Sequence, residues 1–544
     1  MIFRSFLFFS ALLFGFTINV HSQQFTHQDT LRGSITPERA WWDLKYYHLD
    51  IKVNPEDSTI TGKNTIFYKI LNEFPVMQID LQPPLHITKA TQSGIPLEIS
   101  HKGNAHFIEL IEMQDKGIVN KIVIYFEGRP KIAQNPPWDG GISWKTDKNG
   151  NPFIASTCQG IGASVWWPCK DHMYDEVDSM LISVNVPKDL MDVSNGRLRR
   201  VEFLDDGTKT YHWFVSNPIN NYGVNINIAD YSHFRWEFEG LNGMLDCDYY
   251  VLPYNLKKAK IQFKDAYRTL EAFEYWFGPY PFYKDSYKLV EVPYPGMEHQ
   301  SSVTYGNGYK NGYQGRDLSG TGWGMKFDFI IVHETAHEWF ANSITYKDMA
   351  DMWIHESFAA YAEGLFVEYF YGKEAGDAYI IGTRDNIKND KAIIGIYGVN
   401  NSGSSDMYPK GSNMLHTLRQ LVEDDDKWHE ILLGLNLEFY HQTVTSNQIE
   451  DFLSQQSDID LQEFFDQYLR DTRIPTMEYS LKIKTLKFRW TNIVAGFDMP
   501  VKIKVGKKEL WIYPKAEWTE IKLNKKVSDI EIVPDFYVFR KQIK

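Results

Sequence analysis

Cysteine is scarce in this chain, with only Cys158, Cys169 and Cys247 among 544 residues. The set is odd in number and no pair has zinc-ribbon spacing, which excludes that kind of metal site. Cys158 and Cys169 stay open to two readings, a bond in an oxidising compartment or two buried thiols. Positive charge is in deficit too: 57 Lys and Arg stand against 70 Asp and Glu, a net charge of −13. A nucleic-acid partner calls for a basic stripe, so none is expected, and an acidic balance of this size serves solubility. Long apolar runs are nearly absent. One lies between Phe6 and about Phe16, after Arg4 and before Val20-His21-Ser22, the layout of a secretory signal peptide with cleavage near Ser22. It is shorter than the roughly 20 apolar residues that span a bilayer, and no cysteine follows it for lipid attachment. No later stretch reads as a membrane span. An exported protein, periplasmic or secreted, is expected. Internal repeats and long low-complexity linkers are also missing.

What is present is enough apolar and aromatic material, 43% and 15%, for two to four cores in a chain too long for one. From about Trp42 to Tyr250, β-branched and aromatic runs such as "YYHLDIKV", "STITGKNTIFYKI" and "NKIVIYFEG" alternate and are cut by Asn, Asp, Gly and Pro. That pattern predicts an antiparallel β-rich domain over residues 36–252. At "YNLKKAKIQFKDAYRTLEAFEYWFG" the period becomes helical, with Ile261, Ala266, Leu270 and Phe273 near one face. Helices then dominate 253–475, apart from a strand at "DSYKLVEVPY". After "RDTRIPTMEYS" alternation returns, predicting a small β-sandwich-like module over 476–544. The fold class is multidomain α+β, with residues 1–22 as a leader.

The chemistry concentrates in "IVHETAHEWF", residues 331 to 340. Residues four apart share a helix face, so His333 and His337 can reach one ion at the ~2.0–2.1 Å of zinc–nitrogen bonds. Glu334 lies about 100° further round, beside that pair, where it can accept a proton from a water that the ion activates. The other faces are apolar, through Ile331, Val332, Ala336, Trp339 and Phe340, which marks a buried helix. Two histidines and a glutamate are costly there without partners. The same pattern also arises by chance in a chain with 16 histidines, so a third ligand decides. In "DMWIHESFAAYAEGLFVEYFYG", a second helical stretch, Glu356 follows His337 by 19 positions, and a turn through "ITYKDMAD" folds this helix back to aim it at the ion.

With Glu356 at that spacing, the pattern resembles the aminopeptidase N family of zinc metallopeptidases, which includes leukotriene hydrolase. The resemblance implies one Zn²⁺ per chain held by His333, His337 and Glu356, with Glu334 as base and then acid. The family's Trp-Leu-Asn-Glu-Gly-Phe-Ala carries His355 for Asn and Ser357 for Gly here, and His355, next to Glu356, points elsewhere. "VPYPGMEHQSS" is similar to the family's Gly-x-Met-Glu-Asn motif. Met297 and Glu298 are retained while Pro295 and His299 replace the Gly and Asn, which implies that Glu298 grips the substrate's free α-amino group. Tyr408-Pro409-Lys410-Gly411 fits a Tyr-x-Lys-Gly motif at a helix start. Proline favours a first helical position, so Tyr408 precedes that helix and, by the resemblance, donates to the oxyanion. "STCQGIGASVWWPCKDH" matches more weakly; it puts Gln159 where the family has a second amine contact, with Thr157 and Ser164 departing from the pattern. Glu363, seven residues after Glu356 on the same face, can accept from the second nitrogen of a ligating histidine, or be a solvated helix glutamate.

The resemblance spans about 40 to 540 and implies a β-sandwich-like domain, a thermolysin-like catalytic domain and a short β-module, without the large C-terminal helical domain that covers the site in many members. The expected function is zinc-dependent removal of N-terminal residues from peptides with a free N-terminus. Epoxide hydrolysis on the same site and a catalytically silent peptide-binding protein are the rivals. The sequence sets no oligomeric state.

Overall fold

The computed structural model describes residues 24–111, 115–524, 527 and 529–543. The leader assigned to 1–22 lies outside the described residues. Between 40 and 230 the alternation predicted from sequence is realised as sheets. The largest has eight strands, in the order Arg197–Phe203, Thr208–Val215, Ser179–Pro187, Trp42–Asn54, Thr59–Ile70, Val119–Gly128, His86–Gln92, Ile95–Pro96. Trp42–Asn54 pairs antiparallel with Thr59–Ile70 but parallel with Ser179–Pro187. A second sheet contains Met191–Ser194, Ile226–Ala229, Pro152–Thr157 and Gly141–Thr146. Pro152–Thr157 ends two residues before Gln159, and so delivers that side chain to the next domain.

Alternation alone groups Ser232–Gly240 and Gly243–Val251 with the strands before them. In space they form one five-stranded sheet with Tyr287–Glu291, Val303–Tyr305 and Gly296–Met297. This sheet supports the helical region, and Gly296–Met297 is its edge beside the site. Helices follow, including Phe329–Ala336, Trp353–Tyr371, Lys373–Gly382 and Pro409–Val422. The chain closes on two small sheets built from strands between Thr476 and Gln542. The whole is mixed α+β. Among the described residues no helix is long and apolar enough to cross a membrane.

Two expectations from periodicity are corrected. The helix over 255–277 is two helices, Leu256–Gln262 and Lys264–Phe277, meeting at Phe263. Ala266, Leu270 and Phe273 are fully buried, but Ile261 is 64% exposed. Phe263 takes the core place instead, packed on the rings of Tyr249, Tyr305 and Tyr309. The second correction concerns the histidine helix, which ends at Ala336. His337 caps it, and Phe340 (φ −114°, ψ 79°) and Ala341 (φ 156°, ψ −49°) leave helical geometry. Trp339 and Phe340 are buried, but past the helix end.

Candidate metal centre

The helix Phe329–Ala336 starts at Asp328, which is fully buried and caps the Ile331 amide at 3.4 Å. The same carboxylate accepts from Tyr305, Gln262 and Asn307 at 2.7, 2.9 and 2.7 Å, so the helix start is pinned to the sheet. Further along, Thr335 and Tyr287 share a hydroxyl contact of 2.7 Å. These anchors fix the rotation of the helix and with it the aim of His333, Glu334 and His337, all buried.

The ring nitrogens settle what that aim means. His333 Nδ1 lies 2.7 Å from Glu363 Oε1, and His337 Nδ1 lies 2.9 Å from the Phe340 carbonyl oxygen. Both partners are acceptors, so each Nδ1 carries the proton and donates it. In the neutral imidazole that leaves a lone pair on each Nε2. The two Nε2 atoms are 3.3 Å apart. Glu356 Oε2 stands 3.6 Å from one and 3.4 Å from the other, buried and without a hydrogen-bond partner. With both imidazoles neutral, three electron donors therefore face one point, and their mutual distances stay under 4.8 Å. Two imidazoles and a carboxylate at one point are the donor set of a catalytic zinc, which keeps a fourth position open. The residues fit the ion.

The electrostatics agree. Burial works against protonation of His333 and His337, yet the carboxylates of Glu356 and, for His333, Glu363 outweigh it and raise both pKa values. Burial opposes ionisation of Glu356, and the two histidines overcome it and hold its carboxyl below the usual range. The pocket thus stabilises positive charge at its centre. Glu334 differs: burial, with Glu298 and Glu356 nearby, pushes its carboxyl up to about 7 against the pull of the histidines.

Around this centre the structure gathers the other residues expected from sequence. Glu363 holds His333 with one oxygen and accepts from Tyr379 with the other, at 2.6 Å. Glu298, 3% exposed, accepts from Gln159 Nε2 at 2.6 Å, and the same amide lies 3.4 Å from Glu356 Oε1. Burial raises the Glu298 pKa, with Glu356 adding to the effect and His337 opposing it. Met297 is buried in the edge strand Gly296–Met297, its carbonyl accepting from Thr304 at 3.2 Å. Tyr408 precedes Pro409 at the start of Pro409–Val422. It is 36% exposed to the cleft, its ring 5.9 Å from that of His333. Burial of its hydroxyl, then Glu356 and Glu298, raise its pKa, so it keeps a proton to donate. All nine residues belong to, or directly touch, one cleft of about 650 Å³.

Of the replaced motif positions, Pro295 lines the cleft, whereas His355, Ser357 and His299 are packing. His355 is fully buried, accepts from the Tyr346 amide at 2.9 Å and stacks on the Tyr346 ring at 4.0 Å. Ser357 donates to the Met407 carbonyl at 2.7 Å, and a Cβ at Gly411 would come within 1.9 Å of its hydroxyl; that approach requires glycine there. His299 is buried beside Thr304. The three cysteines are free and buried, which decides between the two readings of Cys158 and Cys169. Sequence reasoning missed Tyr379, the Phe340 carbonyl and Asn342, which donates to the Glu298 carbonyl at 2.9 Å. None of the three has a signal in the sequence.

Comparison with known proteins gives the family. The profile of the peptidase M1 N-terminal domain matches residues 44–222, and that of the peptidase family M1 domain matches 261–468, in the family's own order and over more than two thirds of the chain. The chain belongs to peptidase family M1. Aminopeptidase N of Lactobacillus helveticus is 24% identical over 480 residues, covering 80% of this chain and 51% of that protein. Probable aminopeptidase 2 of Sulfurisphaera tokodaii is 22% identical over 406 residues, covering 70% and 50%. The chain spans about half the length of these curated relatives. Among solved structures, a mutant M1 zinc metallopeptidase from Deinococcus radiodurans bound to a Tyr-Ser-Ala substrate superposes with a TM-score of 0.66 at 18% identity, over 80% of this chain and 96% of that one. At that identity the likeness is one of fold.

Proposed function

We propose that this M1 family member is a zinc-dependent aminopeptidase that hydrolyses the first peptide bond of peptides with a free N-terminus. The observation that carries the reading is the convergence of His333 Nε2, His337 Nε2 and Glu356 Oε2 on one point, with Glu298 and Gln159 joined at its edge. Zinc held there supplies Lewis acidity to the scissile carbonyl and to water.

The chain's own groups do the rest. Glu334, whose carboxyl is pushed up by burial and by the neighbouring carboxylates, accepts a proton from the attacking water and passes it to the leaving amine. The Tyr408 hydroxyl donates to the oxyanion as the carbonyl carbon becomes tetrahedral. Glu298 and the Gln159 amide oxygen receive the substrate's ammonium. A buried carboxylate needs such a cationic partner, and removing one side of a buried pair costs several kcal/mol. That requirement favours free over blocked N-termini and sets the first peptide bond beside Glu334. The apolar run after Arg4 supports export with removal of the leader.

The test compares amino-acid amides with their N-acetylated forms, with zinc and after chelation. Turnover confined to free amines and lost on chelation supports the reading. Equal turnover of free and blocked substrates overturns its exopeptidase part.

A further inference from the structure

The Gln159 side chain meets Glu298 at 2.6 Å, and it comes from a tight turn whose Ile161 carbonyl accepts from Gln82 Nε2 at 2.8 Å. Residues 158–162 close on themselves through Ile161 N to Gln159 O (2.9 Å) and Gly162 N to Cys158 O (2.7 Å). Gly160 takes φ +76°, and nothing lies within 4 Å of where its Cβ would be. The Gly160 carbonyl is fixed from outside the turn. Asn400 Nδ2 donates to it at 3.0 Å and Arg32 Nη2 at 3.2 Å.

These donors come from two remote segments. Arg32 lies on the helix His27–Gly33, ahead of both family matches, and its guanidinium is held 3.8 Å from the buried Asp171. Asn400 lies between the short helices Thr383–Asn386 and Ser405–Met407, in a loop whose Lys391, Ser402 and Gly403 line the cleft. It adopts φ +53°, a conformation asparagine tolerates better than most residues. The approach depends on Gly33, where a Cβ would meet the Asn400 nitrogen at 2.1 Å. One carbonyl, one residue from the amine contact, thus ties the N-terminal helix and the cleft loop together.

We infer that Asn400, assisted by Arg32, is a positioning residue for recognition of the substrate's α-amine, acting through the Gly160 carbonyl on Gln159. The inference rests on the reading of Gln159 as an amine contact. Losing one such hydrogen bond corresponds to at most about a tenfold change in an equilibrium.

The experiment uses the full zinc-loaded chain. Asn400→Asp keeps shape but offers no donor to the carbonyl, and Asn400→Gly removes the side chain while accepting the same φ. Both are expected to raise KM for leucine p-nitroanilide about 5- to 10-fold, with kcat within about twofold. The calorimetric Kd of leucine amide should rise by the same factor. In a Gln159→Ala background, Asn400→Gly should add nothing further, since a group that acts only through another is silent once that other is gone. Equal effects in the two backgrounds, or a fall in kcat with KM unchanged, overturn the inference. A wild-type chain that turns over no free-amine substrate overturns the aminopeptidase reading instead, and amide calorimetry still reads the role of Asn400.

Discussion

His333 Nε2 and His337 Nε2 stand 3.3 Å apart with their protons committed elsewhere, to Glu363 and to the Phe340 carbonyl. Two lone pairs at that distance repel unless something positive lies between them. The Glu356 oxygen that completes the triangle has no hydrogen-bond partner and faces only the two imidazoles, at 3.6 and 3.4 Å. An unpaired buried acceptor costs free energy, and a bound cation removes the cost at all three atoms together.

The carboxylate behind His333 should therefore matter to the ion as well as to the protein. Glu363→Ala is expected to weaken zinc binding 10- to 100-fold, measured by competition with a chelator. Tyr379→Phe, which frees only the outer oxygen of Glu363, should do less. Unchanged zinc affinity in Glu363→Ala would contradict the arrangement.

Tyr408 is assigned to the oxyanion and not to the ion. Tyr408→Phe should retain one zinc per chain while kcat falls about 10²- to 10³-fold. A loss of zinc, or a change confined to KM, would remove it from that role.

Glu334→Gln should keep zinc and lose activity by at least about 10²-fold, the lower range for a positioned acid–base group. Metal content and single-turnover rate on a free-amine substrate check it together. Retained activity would reassign the proton transfer.

His355 adjoins Glu356 in sequence but faces Tyr346 and Tyr222. His355→Ala should lower stability by about 1–3 kcal/mol, leaving the buried Tyr346 amide without an acceptor, and leave zinc stoichiometry at one. Chemical denaturation and metal analysis read the two effects separately.

How much of this is legible in sequence depends on distance along the chain. The histidine pair and Glu334 are legible because a four-residue spacing on a helix is a local fact, and Glu363 is legible because it shares a face with Glu356. The contact of Gln159 with Glu298 crosses 139 positions, and only the resemblance to known motifs suggests it. Tyr379 is invisible among 32 tyrosines, since its role depends on how the helix Lys373–Gly382 lies against its neighbour. Periodicity misplaces Ile261 because it assumes an unbroken helix, whereas Phe263 interrupts it to reach an aromatic cluster. It likewise extends the histidine helix too far. Leaving helical geometry at Phe340 presents its carbonyl to His337, and no glycine or proline announces that break.

Anomalous diffraction at the zinc edge on crystals of the zinc-loaded chain tests the central claim most directly. One strong peak at bonding distance from His333 Nε2, His337 Nε2 and a Glu356 oxygen is the expected result. A peak elsewhere, or one that leaves Glu356 unbound, would contradict it.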